Sequence, residues 1–128
     1  MAGYGTKYGI NQYGLEVDLV GPLVQAIDPT KNETDVSIST SITLETTDDD
    51  GVASLYVQVN RGAGYEDAFI QGETPAFKPG YDGPGSSVTA VSGGYRVVID
   101  PTVNFTTGEL IHVKVSATDP SGNSERLA

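Results

Sequence analysis

The sequence predicts an all-β domain, an antiparallel β-sandwich preceded by an extended N-terminal arm. Several short segments alternate apolar and polar residues with a period of two, which is typical of strands with one buried face. Sixteen glycines and seven prolines are spread over 128 residues, and turn signals recur about every 8 to 12 residues. Runs of Ala, Leu, Glu and Lys, which favour helix, are missing from the sequence.

The middle of the chain predicts a strand, an acidic loop and a second strand. The first run covers residues 38–45, and its buried face carries Ile38, Thr40, Ile42 and Leu44. Three aspartates and a glycine follow at residues 48–51. The second run has an outward face with Tyr56 and Gln58, and its buried face carries Leu55, Val57 and Val59.

Further strands are expected on both sides of this pair, at residues 23–27, 65–71, 87–91, 95–100 and 110–118. Residues 72–87 are dense in Gly and Pro and predict a long surface loop. Phe77 and Tyr81 in this loop are expected to fold back as packing anchors. In the last of these strands the inward face carries Ile111, Val113, Val115 and Ala117.

Residues 1–22 are expected to form an arm, and residues 23–128 the sandwich domain. Tyr-Gly occurs three times in the arm, and tyrosine gives a large contact area for few lost rotamers. Residues 15–20 alternate like a short strand, which docks on its own domain or joins a neighbour's sheet edge. A tail without a partner is the alternative. The expected partner-binding residues are Tyr4, Tyr8, Tyr13, Leu15, Val17 and Leu19.

Composition narrows the classes of partner. The net charge of −10 argues against nucleic-acid binding, because an acidic surface repels phosphates. A basic partner or a divalent cation fits this charge, and solubility alone also explains it. The sequence has no cysteine, which excludes disulfides and thiolate metal sites. It shows neither a signal-peptide stretch nor a run long enough to span a membrane, so we expect no membrane partner.

Six or seven short strands in about 100 residues indicate an immunoglobulin-like (Ig-like) sandwich, with a small antiparallel barrel as the alternative. Three segments also resemble the Ig-like modules of bacterial and phage proteins. The resemblance covers roughly residues 24–124, and the segments are Asp48-Asp49-Asp50-Gly51-Val52, Val57-Gln58-Val59-Asn60 and the longer run from Val113 to Asn123.

The resemblance implies a non-enzymatic structural protein, a bacteriophage virion subunit of the capsid-decoration or tail type. Such a protein assembles in the host cytoplasm with other virion subunits and with copies of itself through its arm. The alternative is a calcium-dependent adhesion module, or a carbohydrate-binding one, on a bacterial surface. In these modules a last strand follows the Gly-Asn turn, and only five residues follow it here. We therefore expect a very short last strand, a continuation in a longer chain, or completion of the sheet by a neighbour.

Calcium is the first candidate ligand. The loop between the second and third strands lies at the same end of a sandwich as the loop after the penultimate strand, and calcium requires six to eight oxygen ligands. The alternative is that these aspartates only form turns. The predicted calcium ligands are Asp48, Asp49, Asp50, Asp119 and Asn123.

Aromatic side chains in the loops are the second candidate, as a surface that binds a sugar or a partner. These residues are Tyr65, Phe77 and Tyr81. No catalytic residue is expected. His112 is the single histidine and falls on the outward face of a strand, and the carboxylates fall in turns or on outward faces. We therefore expect no enzymatic activity and no cofactor other than calcium.

Overall fold

The computed structural model describes residues 21–34 and 36–127, and the structural statements below refer to these residues. They form strands in the following order: β1 (Leu23–Asp28), β2 (Ile42–Thr47), β3 (Ser54–Asn60), β4 (Tyr65–Ile70), β5 (Ser87–Val91), β6 (Gly94–Ile99), β7 (His112–Thr118) and β8 (Arg126–Leu127).

The strands form two sheets rather than one closed barrel. The first sheet has five strands in the order β5-β6-β2-β1-β8, and the second has three in the order β4-β3-β7. Neighbouring strands pair antiparallel, except that β8 runs parallel to β1. In the ranges that the structure describes, no helix is long and apolar enough to cross a membrane.

The inward faces of both sheets share one hydrophobic core, which gives a β-sandwich-like fold. Alternation along β2 and β3 places every second side chain in this core, as the period of two predicts. The first sheet contributes Ile42, Leu44, Val97 and Ile99, and the second contributes Leu55, Val57, Val59, Phe69 and Ala117. The predicted all-β class and the predicted inward face of β3 are confirmed.

The start of the strand predicted at residue 38 is wrong. β2 begins only at Ile42, and the Ile38 side chain is exposed. Residues 37–40, which precede β2, form a turn. The Ser37 carbonyl accepts a hydrogen bond from the Thr40 amide at 3.1 Å, and the Ser37 hydroxyl accepts one from the Ser39 amide at 3.3 Å. Serine competes in this way with the hydrogen bonds of a sheet.

Residues 76–78 of the long loop fold back along the free side of β4. The Ile70 amide donates to the Ala76 carbonyl at 2.9 Å, and the Lys78 amide donates to the Ala68 carbonyl at 3.0 Å. Phe77 packs against the core, with its ring centroid 4.9 Å from that of Phe69. The loop therefore covers one edge of the smaller sheet.

The chain enters the sandwich at two residues assigned to the arm. Gly21 and Pro22 are buried, and the Pro22 carbonyl accepts a hydrogen bond from the Arg126 amide at 2.6 Å. A Cβ atom on Gly21 would lie 1.6 Å from the Ser124 carbonyl oxygen, so only glycine allows this close approach.

Thr46 is a polar side chain in the core, fully buried on the inward face of β2. Its hydroxyl has no hydrogen-bond partner among the residues that the structure describes. Because an unpaired buried hydroxyl is costly, we expect Thr46→Val to raise the free energy of unfolding by about 1 kcal/mol in urea titrations. Thr89→Val on the exposed strand β5 is the control and should change it little. A clear loss of stability in Thr46→Val alone would show that the hydroxyl is bonded.

Candidate functional site

The acidic turn after β2 and the turn after β7 lie at the same end of the sandwich. Asp48 in the first turn and Asp119 in the second act as turn formers within their own loops. Asp48 Oδ1 accepts a hydrogen bond from the Asp50 amide at 2.9 Å. Asp119 Oδ1 accepts one from the Asn123 amide at 2.8 Å, and its Oδ2 accepts one from Asn123 Nδ2 at 2.9 Å. The carboxylates therefore stabilise the two loop conformations.

The environment of Asp48 raises the pKa of its carboxyl group. Burial is the largest cause, because it disfavours the charged form. The hydrogen bond from the Asp50 amide opposes this effect, and the negative charges of Asp119, Asp50 and Asp49 add to it. Folding therefore brings like charges close together at this end of the sandwich.

The predicted calcium ligands do not meet as one set of converging carboxylates. Asp49 and Asp50 are exposed, whereas Asp119 is buried. Within residues 21–34 and 36–127 there is no group of three or more acidic, histidine or cysteine side chains that could hold a metal ion. The turn-forming hydrogen bonds explain Asp48 and Asp119 without a ligand. Calcium binding itself stays a prediction.

An open cleft lies beside the acidic turn, and its lining is mostly polar. Arg126 and two aspartates face it, but Arg126 Nε already donates to the Gly21 carbonyl at 3.0 Å. Small-molecule pockets are usually apolar with a few polar groups, and this cleft lacks that character. Its lining consists of Leu23, Thr47, Asp48, Asp49, Ser92, Gly93 and Arg126.

The three loop aromatics do not share one exposed surface. Tyr81 is buried and Phe77 packs on the core, so the predicted packing anchors are confirmed. The Tyr81 hydroxyl donates to Glu66 Oε1 at 2.9 Å. Burial, followed by this hydrogen bond, raises the pKa of Tyr81 to about 12. Tyr65 alone is exposed, and Lys114 Nζ lies 5.9 Å from its ring centroid.

Arg61 holds the loop between β6 and β7 against the end of β3. Its guanidinium donates to the carbonyls of Val103 at 2.9 Å and Asn104 at 2.8 Å, and it pairs with Glu109 at 3.3 Å. It also stacks 4.5 Å from the centroid of the Phe105 ring. The pKa of Glu109 is lowered, first by the hydrogen bond from the Thr106 amide and then by Arg61. We call these contacts the Arg61 clasp.

The clasped loop presents two large apolar side chains to solvent. Val103 is 66% exposed and Leu110 is 72% exposed. The Val103 carbonyl itself accepts a hydrogen bond from Arg61, and Leu110 directly follows Glu109, which pairs with Arg61. The loop backbone at these two positions is therefore fixed. Sequence reasoning missed this arrangement. The partners of Arg61 lie 42 to 48 residues away along the chain, and no local pattern identifies them.

β7 has an open side. It pairs with β3 along its length. In the described ranges its only other β-pairing is an isolated bridge between Thr118 and Ser124. β8 pairs with β1 instead, and thus the position next to β7 is not filled by the short last strand. Val113 on this edge is 41% exposed. His112 and Lys114 are exposed on the outer face of the sheet.

The predicted partner-binding residues of the arm lie outside the described ranges, since those begin at Gly21. They are Tyr4, Tyr8, Tyr13, Leu15, Val17 and Leu19. No protein-family model matches the sequence. Comparisons with curated proteins and with solved structures give no match either.

We expect Asp48→Asn to stabilise the protein at pH 7. The amide oxygen can still accept the hydrogen bond from the Asp50 amide, while the cost of burying the charge and the repulsion from the neighbouring carboxylates both disappear. Because folding raises the Asp48 pKa above its ordinary 3.8, the protonated form stabilises the fold below that pH. This contribution is lost as the pH rises through the raised value. The difference between variant and wild type in urea titrations should therefore be near zero at pH 3 and should grow towards pH 7.

Asp49→Asn is the matched control, because it removes the same charge from an exposed position in the same turn. Its effect on the free energy of unfolding should be smaller at every pH. Equal effects of the two variants would show that overall charge, and not the site of Asp48, sets the result.

The Arg61 clasp should depend on the planar guanidinium. Arg61→Lys keeps the charge but cannot reach two carbonyls as a fork, and we expect a loss of about 1–2 kcal/mol in unfolding free energy. Amide exchange in residues 102–109 should become faster. The control is Arg96→Lys, which weakens the exposed ion pair of Arg96 with Glu45 and should cost little. If both variants lose equal stability, the clasp does not hold the loop.

Proposed function

We propose that this chain is a non-enzymatic structural subunit with an Ig-like sandwich, which assembles with copies of itself through its N-terminal arm. We further propose that the assembly is a bacteriophage particle, with this chain as a capsid-decoration or tail subunit. The assignment to a particle rests on the resemblance of its turn and strand motifs to bacterial and phage Ig-like modules.

The strand order supports an Ig-like assignment. With the strands lettered in chain order, an Ig sandwich of the constant type has A, B, E and D in one sheet and C, F and G in the other. Here β5-β6-β2-β1 corresponds to D-E-B-A, and β3-β7 corresponds to C-F, with β4 as an added strand beside C. The last strand is the difference: strand G lies next to F in the Ig sandwich, whereas β8 pairs with β1 here.

The observation that carries the proposal of assembly is the apolar surface on the clasped loop. Val103 and Leu110 are exposed, yet the loop between them is fixed by four contacts of Arg61. Two large apolar side chains exposed on one ordered loop are available for a protein contact. Because the loop is already ordered, little conformational entropy is lost when a partner binds.

The arm supplies side chains suited to this surface. Tyr4, Tyr8 and Tyr13 are each followed by glycine, so the rings are spaced along a backbone with few steric limits. Tyrosine buries a large area and keeps a hydroxyl for a rim hydrogen bond. We place these tyrosines on the Val103–Leu110 surface of a neighbouring copy.

Light scattering over a concentration series tests the proposal. The full chain should form oligomers. Replacing all three arm tyrosines by serine, or making the double change Val103→Ser and Leu110→Ser, should each weaken association at least about tenfold, which corresponds to 1.4 kcal/mol. Both changes affect exposed or arm positions, so the sandwich should keep its thermal stability.

Val88→Ser is the control, because Val88 is 40% exposed on β5 in the other sheet. It should leave association unchanged. A full chain that stays monomeric at every concentration would overturn self-assembly. Oligomers that survive both sets of changes would show that the arm tyrosines and the clasped loop are not the contact surfaces.

A further inference from the structure

The open side of β7 presents backbone groups of known direction. Leu55 faces Ala117 across the β3–β7 pair, and the Leu55 carbonyl accepts a hydrogen bond from Gln71 on the β4 side at 2.9 Å. The backbone groups of Leu55 therefore point away from β7, and those of Ala117 point away from β3. Because this direction alternates along a strand, Val113 and Val115 also point their N–H and C=O groups to the open side.

One of these groups already has a partner. The Ala117 amide donates to Glu125 Oε1 at 2.8 Å, so a side chain takes the place of a strand there. Within the described ranges, no strand lies beside Val113 or Val115 on the open side. The open part of the edge therefore offers a short ladder of hydrogen-bonding groups, and unpaired edges of this kind accept a further strand.

The chain outside the described ranges reaches the sandwich at this edge. Gly21 lies against the Ser124 carbonyl, and Ser124 forms the bridge to Thr118 at the end of β7. A segment that ends at residue 20 can therefore run along β7 and turn at Gly21 into β1. Six residues of strand span about 20 Å, which is enough to reach from Thr118 to His112.

We propose that residues 15–20 of the same chain form a strand parallel to β7 and pair with its open side. From Leu15 to Leu19 their alternation fits the edge on both faces. Leu15, Val17 and Leu19 fall on one face, where they can cover Val113 and Val115. Glu16 and Asp18 then fall on the outer face of the sheet, next to Lys114.

Charge favours this occupant. Lys114 is exposed, and it forms no ion pair with the residues that the structure describes. Lys114 Nζ lies over the Tyr65 ring, and opposite charges on neighbouring strands stabilise a sheet, so Glu16 and Asp18 add carboxylates to which this lysine can pair. The edge strand β5 of the other sheet has the sequence SVTAV and offers no cation for these two carboxylates.

Hydrogen exchange measured by NMR on the full chain tests the pairing. We expect the amides of Val113 and Val115 to exchange at least about 100-fold more slowly than in an unstructured chain. In a parallel pair a residue bonds to the two neighbours of the residue beside it, so with Val17 beside Val113 or Val115 the Asp18 N–H is the donor that faces β7. Asp18→Pro removes this N–H and breaks the ladder, so both amides should lose this protection while β3 keeps its own. Gln12→Pro, outside the segment, is the control and should change neither. Unprotected amides in the full chain would overturn the proposal.

Crosslinking decides which copy supplies the strand, since the chain has no cysteine of its own. Neighbouring strands lie about 4.8 Å apart, within the span of a disulfide. Val17→Cys combined with either Val113→Cys or Val115→Cys should give an oxidised monomer on a non-reducing gel. Asp18→Cys with Val115→Cys places the thiols on opposite faces and should not crosslink.

A disulfide-linked dimer would show that a second copy supplies the strand and would overturn docking within one chain. This inference does not require self-assembly. A monomeric full chain with protected Val113 and Val115 amides would contradict the proposed function and still support the pairing, whereas oligomers with unprotected amides would do the reverse.

Discussion

The structure depends on the core that β2, β3 and β6 close between the two sheets. Leu44, Leu55, Val57, Val97 and Ile99 are almost completely buried there. Because side chains alternate along a strand, burying these residues decides which of their neighbours face solvent. A shift of one residue would place Glu45 of β2, Arg96 of β6 or Gln58 of β3 in the core, so the register is strongly specified. The polar side chains left outside are the ones available to a partner.

The same alternation explains which parts of the fold were predictable. β3, β6 and β7 follow from apolar residues at every second position. The pattern fails before Ile42, because serine side chains form a turn in a stretch that also alternates. The alternation does not predict the contacts of Arg61 or Glu125. Arg61 bonds to a backbone carbonyl that is distant in sequence, and Glu125 bonds to a backbone amide outside any periodic pattern. The parallel pairing of β8 with β1 depends on the close approach of Gly21 to Ser124, which no local pattern reports.

The aspartates of the acidic loop are compatible with two different physical roles. A cluster of aspartates in a loop is equally compatible with a cation site and with turn formation. In the structure the Asp48 and Asp119 carboxylates accept hydrogen bonds from amides of their own loops, and this geometry depends on backbone conformation rather than on residue type. The sequence predicts that the two loops meet, because sandwich topology places them at one end. It cannot predict where each oxygen points.

The sandwich has four edge strands, and they are protected to different degrees. Residues 76–78 cover β4, β8 is two residues long, and Glu125 bonds to the last part of β7. β5 is a short, uncharged strand. The first part of β7 is different. Among the described residues no strand lies beside it on its open side, Val113 is exposed, and Lys114 forms no ion pair. Such an edge accepts a further strand, and residues 15–20, which we propose as that strand, have matching alternation and two acidic side chains.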